Sequence, residues 1–149
     1  MTPYAVNKKA QFDYELLEKY EAGLVLSGAE VKSIRNGHIS LKGSFVNFYN
    51  NQAFLVNAHV AKYKFASNQK NYEPEHNRQL LLKDKEINYL RGKLQVVGLT
   101  IVPISLYNKG RHIKLEIAVA RGKKKYDKRE SIKKRELDRE IGKKMKIVN

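Results

Sequence analysis

Leu99-Thr100-Ile101-Val102-Pro103-Ile104-Ser105-Leu106-Tyr107, a turn containing Asn108-Lys109-Gly110, and His112-Ile113-Lys114-Leu115-Glu116-Ile117-Ala118-Val119 form the stretch on which the fold depends. In the second arm Ile113, Leu115 and Ile117 alternate with Lys114 and Glu116. That period of two sends one row of side chains into a core and the other to a surface. Two apolar arms around a glycine-containing turn predict an antiparallel hairpin. Pro103 cannot donate a ladder hydrogen bond, so it predicts an edge position or a bulge in the first arm.

A second hairpin is expected upstream, where Ser44–Tyr49 and Ala53–Ala58 flank Asn50-Asn51-Gln52. Asparagine tolerates the positive φ that a tight hairpin turn requires. Two helices are expected beside these strands. Ser27–Gly37 opens on a Ser N-cap with Glu30 three residues on, a capping box, and closes on Asn36-Gly37. Asp84–Leu94 puts Ile87, Leu90 and Leu94 on one stripe, with Asp84 as its cap. Residues 60–79 read as a long loop turned by Pro74. The residues therefore predict a mainly β protein, an antiparallel barrel or sandwich with short helices at its margins. Phe48, Tyr49 and Phe54 are expected in its core, while Tyr63, Phe65 and Tyr72, set among Lys62, Lys64 and Lys70, suit base stacking or loop packing equally.

The chain of 149 residues carries 30 Lys and Arg against 15 Asp and Glu, a formal net charge of +15. Such a surplus calls for a polyanionic partner, and nucleic acid leads. Residues 1–120 hold 17 basic and 10 acidic side chains, net +7, and residues 121–149 hold 13 and 5, net +8. The division predicts an RNA-binding domain over 1–120 and a basic tail over 121–149. In the tail, Arg121-Gly122-Lys123-Lys124-Lys125-Tyr126-Asp127-Lys128-Arg129 places one flat ring among cations, the pairing that phosphates and an unstacked base require. A solvated tail kept for solubility is the plainer reading of the same run. Leu137, Ile141, Met145 and Val148 share one narrow helical face, so residues 129–146 are expected to be coil when free and helix when bound, about 27 Å long.

Cysteine is absent, which excludes a disulfide framework, a thiolate nucleophile and sulfur-ligated zinc. No run approaches the ~18 apolar residues of a membrane span and no apolar signal core opens the chain, so a cytoplasmic protein is expected. His38, His59, His76 and His112 lie on four separate segments without a metal-ligand spacing, and no metal or cofactor is expected. A nuclease would pair one of them with Glu30, Glu75 or Glu116. A rival of another class is a peripheral protein whose tail helix lies on anionic lipid, though its apolar stripe has no aromatic anchor.

Asn7-Lys8-Lys9-Ala10, Tyr20–Leu26, Gly28-Ala29-Glu30-Val31-Lys32-Ser33-Ile34-Arg35, Leu80-Leu81-Leu82 before Glu86-Ile87, Pro103 with Leu106-Tyr107, and Gly122–Arg129 together resemble the SmpB family, the SsrA-binding proteins of bacteria, nearly end to end. The resemblance implies a six-stranded antiparallel barrel of the oligonucleotide-binding kind with flanking short helices and a C-terminal tail that becomes helical when bound. It implies a monomer that performs no chemistry, needs no cofactor and stays off the membrane. Its barrel would bind the tRNA-like domain of transfer-messenger RNA (tmRNA) and bring it, with elongation factor Tu and GTP carried on the RNA, to stalled ribosomes. Its tail would occupy the small-subunit decoding centre and the empty mRNA channel, the ribosome-rescue process called trans-translation. The RNA-binding residues expected are Lys8, Lys9, Glu30, Lys32, Arg35, Arg78, Leu81 and Lys83 in the body, and Lys123, Lys124, Lys125, Tyr126, Asp127, Lys128 and Arg129 in the tail. Where the family commonly reads Pro-x-Arg-x-Arg-Lys-Leu-Leu-Leu, this chain has His76 and Gln79 in place of two cations, and Lys83 stands where Asn or His is frequent.

Overall fold

A computed structural model describes residues 2–65 and 71–123. The expected tail helix and the RNA contacts expected of Lys124, Lys125, Tyr126, Asp127, Lys128 and Arg129 lie outside the described residues. In chain order the elements are β1 (Ala5–Val6), α1 (Lys8–Asp13), β2 (Tyr14–Leu24), α2 (Gly28–Arg35), β3 (Ile39–Ser40), β4 (Phe45–Tyr49), β5 (Gln52–Val56), β6 (His59–Val60), β7 (Arg78–Leu81), α3 (Asp84–Leu94), β8 (Leu99–Lys109) and β9 (His112–Gly122). Seven strands make one antiparallel sheet in the order β1-β8-β9-β2-β7-β5-β4, and β3 pairs with β6 apart from it.

Both expected hairpins form. Lys109 pairs with His112 at the tip of β8–β9, and Tyr49 with Gln52 across a two-residue turn. Asn50 and Asn51 hold φ of 51° and 61° in that turn, the left-handed pair that a tight hairpin of this hand uses. The proline produces a bulge: Pro103 faces Ile117, Ser105 faces Glu116, and Ile104 has no opposite number. Alternation on β9 holds through Ile117, after which both faces are buried. Ile113, Leu115, Ile117 and Val119 enter the main core with Val46, Leu55, Leu80, Leu90 and Ile101. Ala118 and Ala120 turn the other way, against Ala10 of α1, Val102 and the bulged Ile104.

Four expectations are corrected. The sheet has seven strands rather than six, and its edges are not hydrogen-bonded to each other; β4 packs against β8 while β1, at the far edge, is two residues long. The curl is thus sealed by side chains rather than by a closed ladder. Tyr49 and Phe54 leave the core, because Ala53 and Leu55 take the inward row of β5, and their rings meet outside it at 5.7 Å. Asp84 is the first residue of α3 instead of its cap; Lys83 stands at the cap and its N–H donates to Glu86 Oε1 at 3.0 Å. The last strand runs through Arg121 and Gly122, opposite Glu15 and Tyr14, so the boundary drawn at Ala120 falls inside β9.

Asn7 fastens the N-terminal helix to the bulge. Its Oδ1 accepts from the Ala10 N–H at 3.2 Å, capping α1, and its Nδ2 donates to the Pro103 carbonyl at 3.0 Å. The side chain is buried, so alanine there would leave the Pro103 carbonyl and a helix N–H unpaired. Asn7→Ala is expected to lower stability by about 1–3 kcal/mol in urea denaturation; a loss under about 0.5 kcal/mol would mean the junction does not depend on it.

Candidate nucleic-acid interface

Glu30 and Arg78, both expected at the RNA interface, meet in one buried ion pair. Ser27 caps α2, accepting from the Glu30 N–H at 3.1 Å, and Glu30 Oε1 accepts the Ser27 N–H at 3.0 Å. The capping box leaves Oε2 aimed inward, where Arg78 Nε donates to it at 2.6 Å and His76 Nε2 lies at 2.9 Å. The two side chains are 6% and 1% exposed. Arg78 Nη1 donates to the carbonyls of Ala58 and His76, and Nη2 to the Pro74 carbonyl and the Tyr72 hydroxyl. With Nε on Glu30, all five guanidinium N–H groups are engaged inside the protein. The Tyr72 hydroxyl in turn donates to the Val60 carbonyl at 2.8 Å. Arg78 thereby ties both ends of the long loop to helix α2, and neither Glu30 nor Arg78 is open to an RNA. Tyr72 is loop packing rather than a stacking platform.

Burial pushes the Glu30 carboxyl up, yet the Ser27 amide, Arg78 and His76 outweigh it and hold the pKa below its ordinary value. A lowered folded-state pKa contributes stability above the ordinary carboxylate range, lost as pH falls through the folded value. Glu30→Gln should therefore give a stability profile that falls less steeply between about pH 5 and pH 2 than wild type does. Arg78→Met, which strands a buried carboxylate, should cost about 3–5 kcal/mol in chemical denaturation.

The exposed candidates lie elsewhere. A groove of about 660 Å³ crosses the sheet between the β4–β5 turn and the start of α3, lined by Glu21, Asn50, Asn51, Gln52, Gln79, Leu81, Lys83, Asp84 and Lys114 among others. Leu81 stands 53% exposed on its rim. A leucine presented to solvent on a strand flanked by cations is the kind of apolar contact a nucleotide can use. Arg35 lies in an adjoining hollow, described below. Lys32 sits over the Tyr63 ring at 5.6 Å, and Tyr63 meets Phe65 edge-on at 5.6 Å. Lys8 and Lys9 are exposed on α1, and Lys9 lines a separate hollow of about 350 Å³ that shares no residue with the groove. The Lys123 N–H donates to the Asp13 carbonyl at the end of β9.

Glu21 was not singled out by the sequence reading, although it lies in the groove. Its carboxylate is held across the sheet by the Tyr107 hydroxyl at 2.5 Å and by Lys109 Nζ at 3.0 Å. The Tyr107 bond, followed by that to Lys109, holds the Glu21 pKa below its ordinary value, while burial and the same carboxylate push Tyr107 far up. Its one mark in the sequence is the Tyr20–Leu26 block in which it lies.

His59 meets Glu75 at 3.5 Å and His76 meets Glu30 at 2.9 Å, so two of the imagined acid–base pairs do exist. Glu30 is kept ionised by its neighbours, and His76 Nδ1 is turned to the Asn77 carbonyl at 3.0 Å. Neither pair opens into the groove. Among the described residues no group of three His, Asp or Glu side chains could hold a metal ion, and no helix is long and apolar enough to cross a membrane.

A curled antiparallel sheet with short helices and an open, amide-lined and partly cationic groove defines a small, mainly β protein with an exposed polar face. The family model described as SmpB protein matches residues 4–147. An SsrA-binding protein of Persephonella marina is 50% identical over 142 residues, covering 95% of this chain and 93% of the relative. One of Chloroflexus aggregans is 46% identical over 142 residues, covering 95% and 90%. A solved structure described as "tmRNA-SmpB: a journey to the center of the bacterial ribosome" superposes with a TM-score of 0.67 at 40% identity, covering 85% of this chain and 92% of that one. The chain belongs to the SmpB family.

Proposed function

We propose that this chain binds the tRNA-like domain of tmRNA and delivers it to stalled ribosomes for rescue and for tagging of the nascent peptide. Elongation factor Tu with GTP would travel on the same RNA, and the work would be done in the cytoplasm by binding alone, without catalysis, as a monomer. The observation that carries the reading is the groove: Leu81 and Lys83, two positions that the resemblance assigns to the tRNA-like domain, line one open hollow beside Gln79, Gln52 and Lys114. Glu30 and Arg78 serve this interface as positioning residues, fixing the loop and β7 from which Leu81 projects. Lys8, Lys9, Lys32 and Arg35 supply further surface charge for phosphates.

The tail is the second binding part. Lys123, Lys124, Lys125, Lys128 and Arg129 would meet ribosomal RNA phosphates in the decoding centre and mRNA channel, Asp127 would cap the bound helix, and Tyr126 would stack on a base there, worth ~1–3 kcal/mol. The charge division supports this, with +8 in the last 29 residues. Because β9 continues to Gly122, the clean cut is after Lys123. A chain ending at Lys123 is expected to bind the tRNA-like domain and to fail in tagging; loss of RNA binding on truncation would refute the division. Tyr126→Ala is expected to leave RNA affinity nearly unchanged while slowing tagging on purified stalled ribosomes, and an unaltered tagging rate would count against stacking.

A further inference from the structure

The groove has a neighbour across one point of the sheet. On the other side of Gly23, Arg35 from the last turn of α2, Arg111 from the hairpin turn and Lys114 from β9 surround a hollow of about 170 Å³ whose floor includes Leu24, Leu26 and Val31. Gly23, Leu81 and Lys114 line both hollows. Gly23 is buried, and a Cβ on it would stand 3.2 Å from Leu81 Cβ and 3.5 Å from Lys114 Nζ. The missing side chain lets the leucine and the lysine settle onto the strand, so the two hollows meet over a low saddle.

Among the described residues no carboxylate lies within ion-pair distance of the cations at this hollow. Lys19, Lys109 and the buried Arg78 have carboxylates, while the side chains of Arg35, Arg111 and Lys114 make no ion pair or hydrogen bond among the described residues, Lys114 feeling only the charge of Glu21 from across the sheet. Three positive groups brought together from three elements repel one another until an anion joins them. Guanidinium forks bind phosphate bidentately, and an aliphatic floor accepts the apolar face of a ribose rather than a second charge. Across the saddle the chemistry reverses to Gln52, Gln79 and Glu21, groups that match the donors and acceptors of a base edge. The two sides together have the polarity of a nucleotide.

We propose that the Arg35–Arg111–Lys114 hollow is a phosphate-binding subsite for the RNA strand lying in the neighbouring groove. It rests on the reading that the groove binds RNA, and it adds where the backbone of that strand crosses the sheet. Arg111 lies outside the groove, and Lys114 is the cation that borders both hollows.

The test is a titration of the full chain with a transcript of the tRNA-like domain at several salt concentrations between 50 and 200 mM. Arg111→Gln, Lys114→Gln and the double variant should each bind more weakly, by about 5–10-fold for the singles, and the salt slope should fall by about 0.7–0.9 for one lost phosphate contact. The double variant should lose little more slope than either single, since both cations meet the same phosphate. Wild-type affinity and slope in the double variant, with the wild-type chain binding normally, would overturn the subsite alone. A wild-type chain that does not bind the transcript would overturn the RNA reading itself. Thermal melting of each variant separates lost contact from lost fold.

Discussion

A carboxylate and a guanidinium taken out of water together set the terms for the rest of this molecule. Desolvating either one alone would cost several kcal/mol. The Glu30–Arg78 pair persists because every polar hydrogen of the guanidinium has an acceptor and the carboxylate is held from three directions. Those acceptors come from the loop, at Ala58, Pro74 and His76, so charge satisfaction and loop conformation are one requirement. The same arginine opens β7, the strand that joins the β4–β5 hairpin to β2 and presents Leu81. A buried pair of this kind is modest as a source of net stability, but it selects one arrangement among many that the loop's polar sequence would otherwise allow.

Where a local rule governs, the sequence was readable. Period-two alternation located β9, the paired asparagines located a turn, and the Ser27–Glu30 spacing located α2 to the residue. Tertiary rules were less visible. β2, eleven residues long, went unrecognised because Glu15, Leu16, Leu17, Glu18 and Lys19 favour helix in isolation, and because Glu18, in the half-buried row, is held there by the Tyr20 and Tyr89 hydroxyls. β7 was hidden by its charged first residue, whose partner lies 48 positions away. For the site, residue type alone marks a cation or a carboxylate as available to RNA. Whether it is available depends on what has been spent inside the fold, which is why Arg78 moved inward and Glu21 is held by Tyr107 and Lys109, while Arg111 and Lys114 emerged.

The groove and its neighbouring hollow also show how the basic charge is organised. The body's surplus is moderate, and several of its cations are engaged: Lys109 holds Glu21, Lys32 covers Tyr63, Arg78 is buried. What remains free near Gly23 is a small, directed subset. Orientation of a folded RNA needs such a subset more than it needs bulk charge, because phosphate contacts set register while contacts to base edges and apolar rims discriminate.

The pairing of β2 with β9 has a consequence for how the chain is made. Gly23 pairs with Lys114, and Tyr14 with Gly122, so the second strand to be synthesised waits for the last one before half of its hydrogen bonds exist. The β4–β5 and β8–β9 hairpins are local and can close as soon as they emerge, whereas the central seam of the sheet is about as non-local as a chain of this size allows. The nascent body therefore reaches its folded form only once residue 122 is free to pair with Tyr14, so the middle of the sheet is the last part of the body to close.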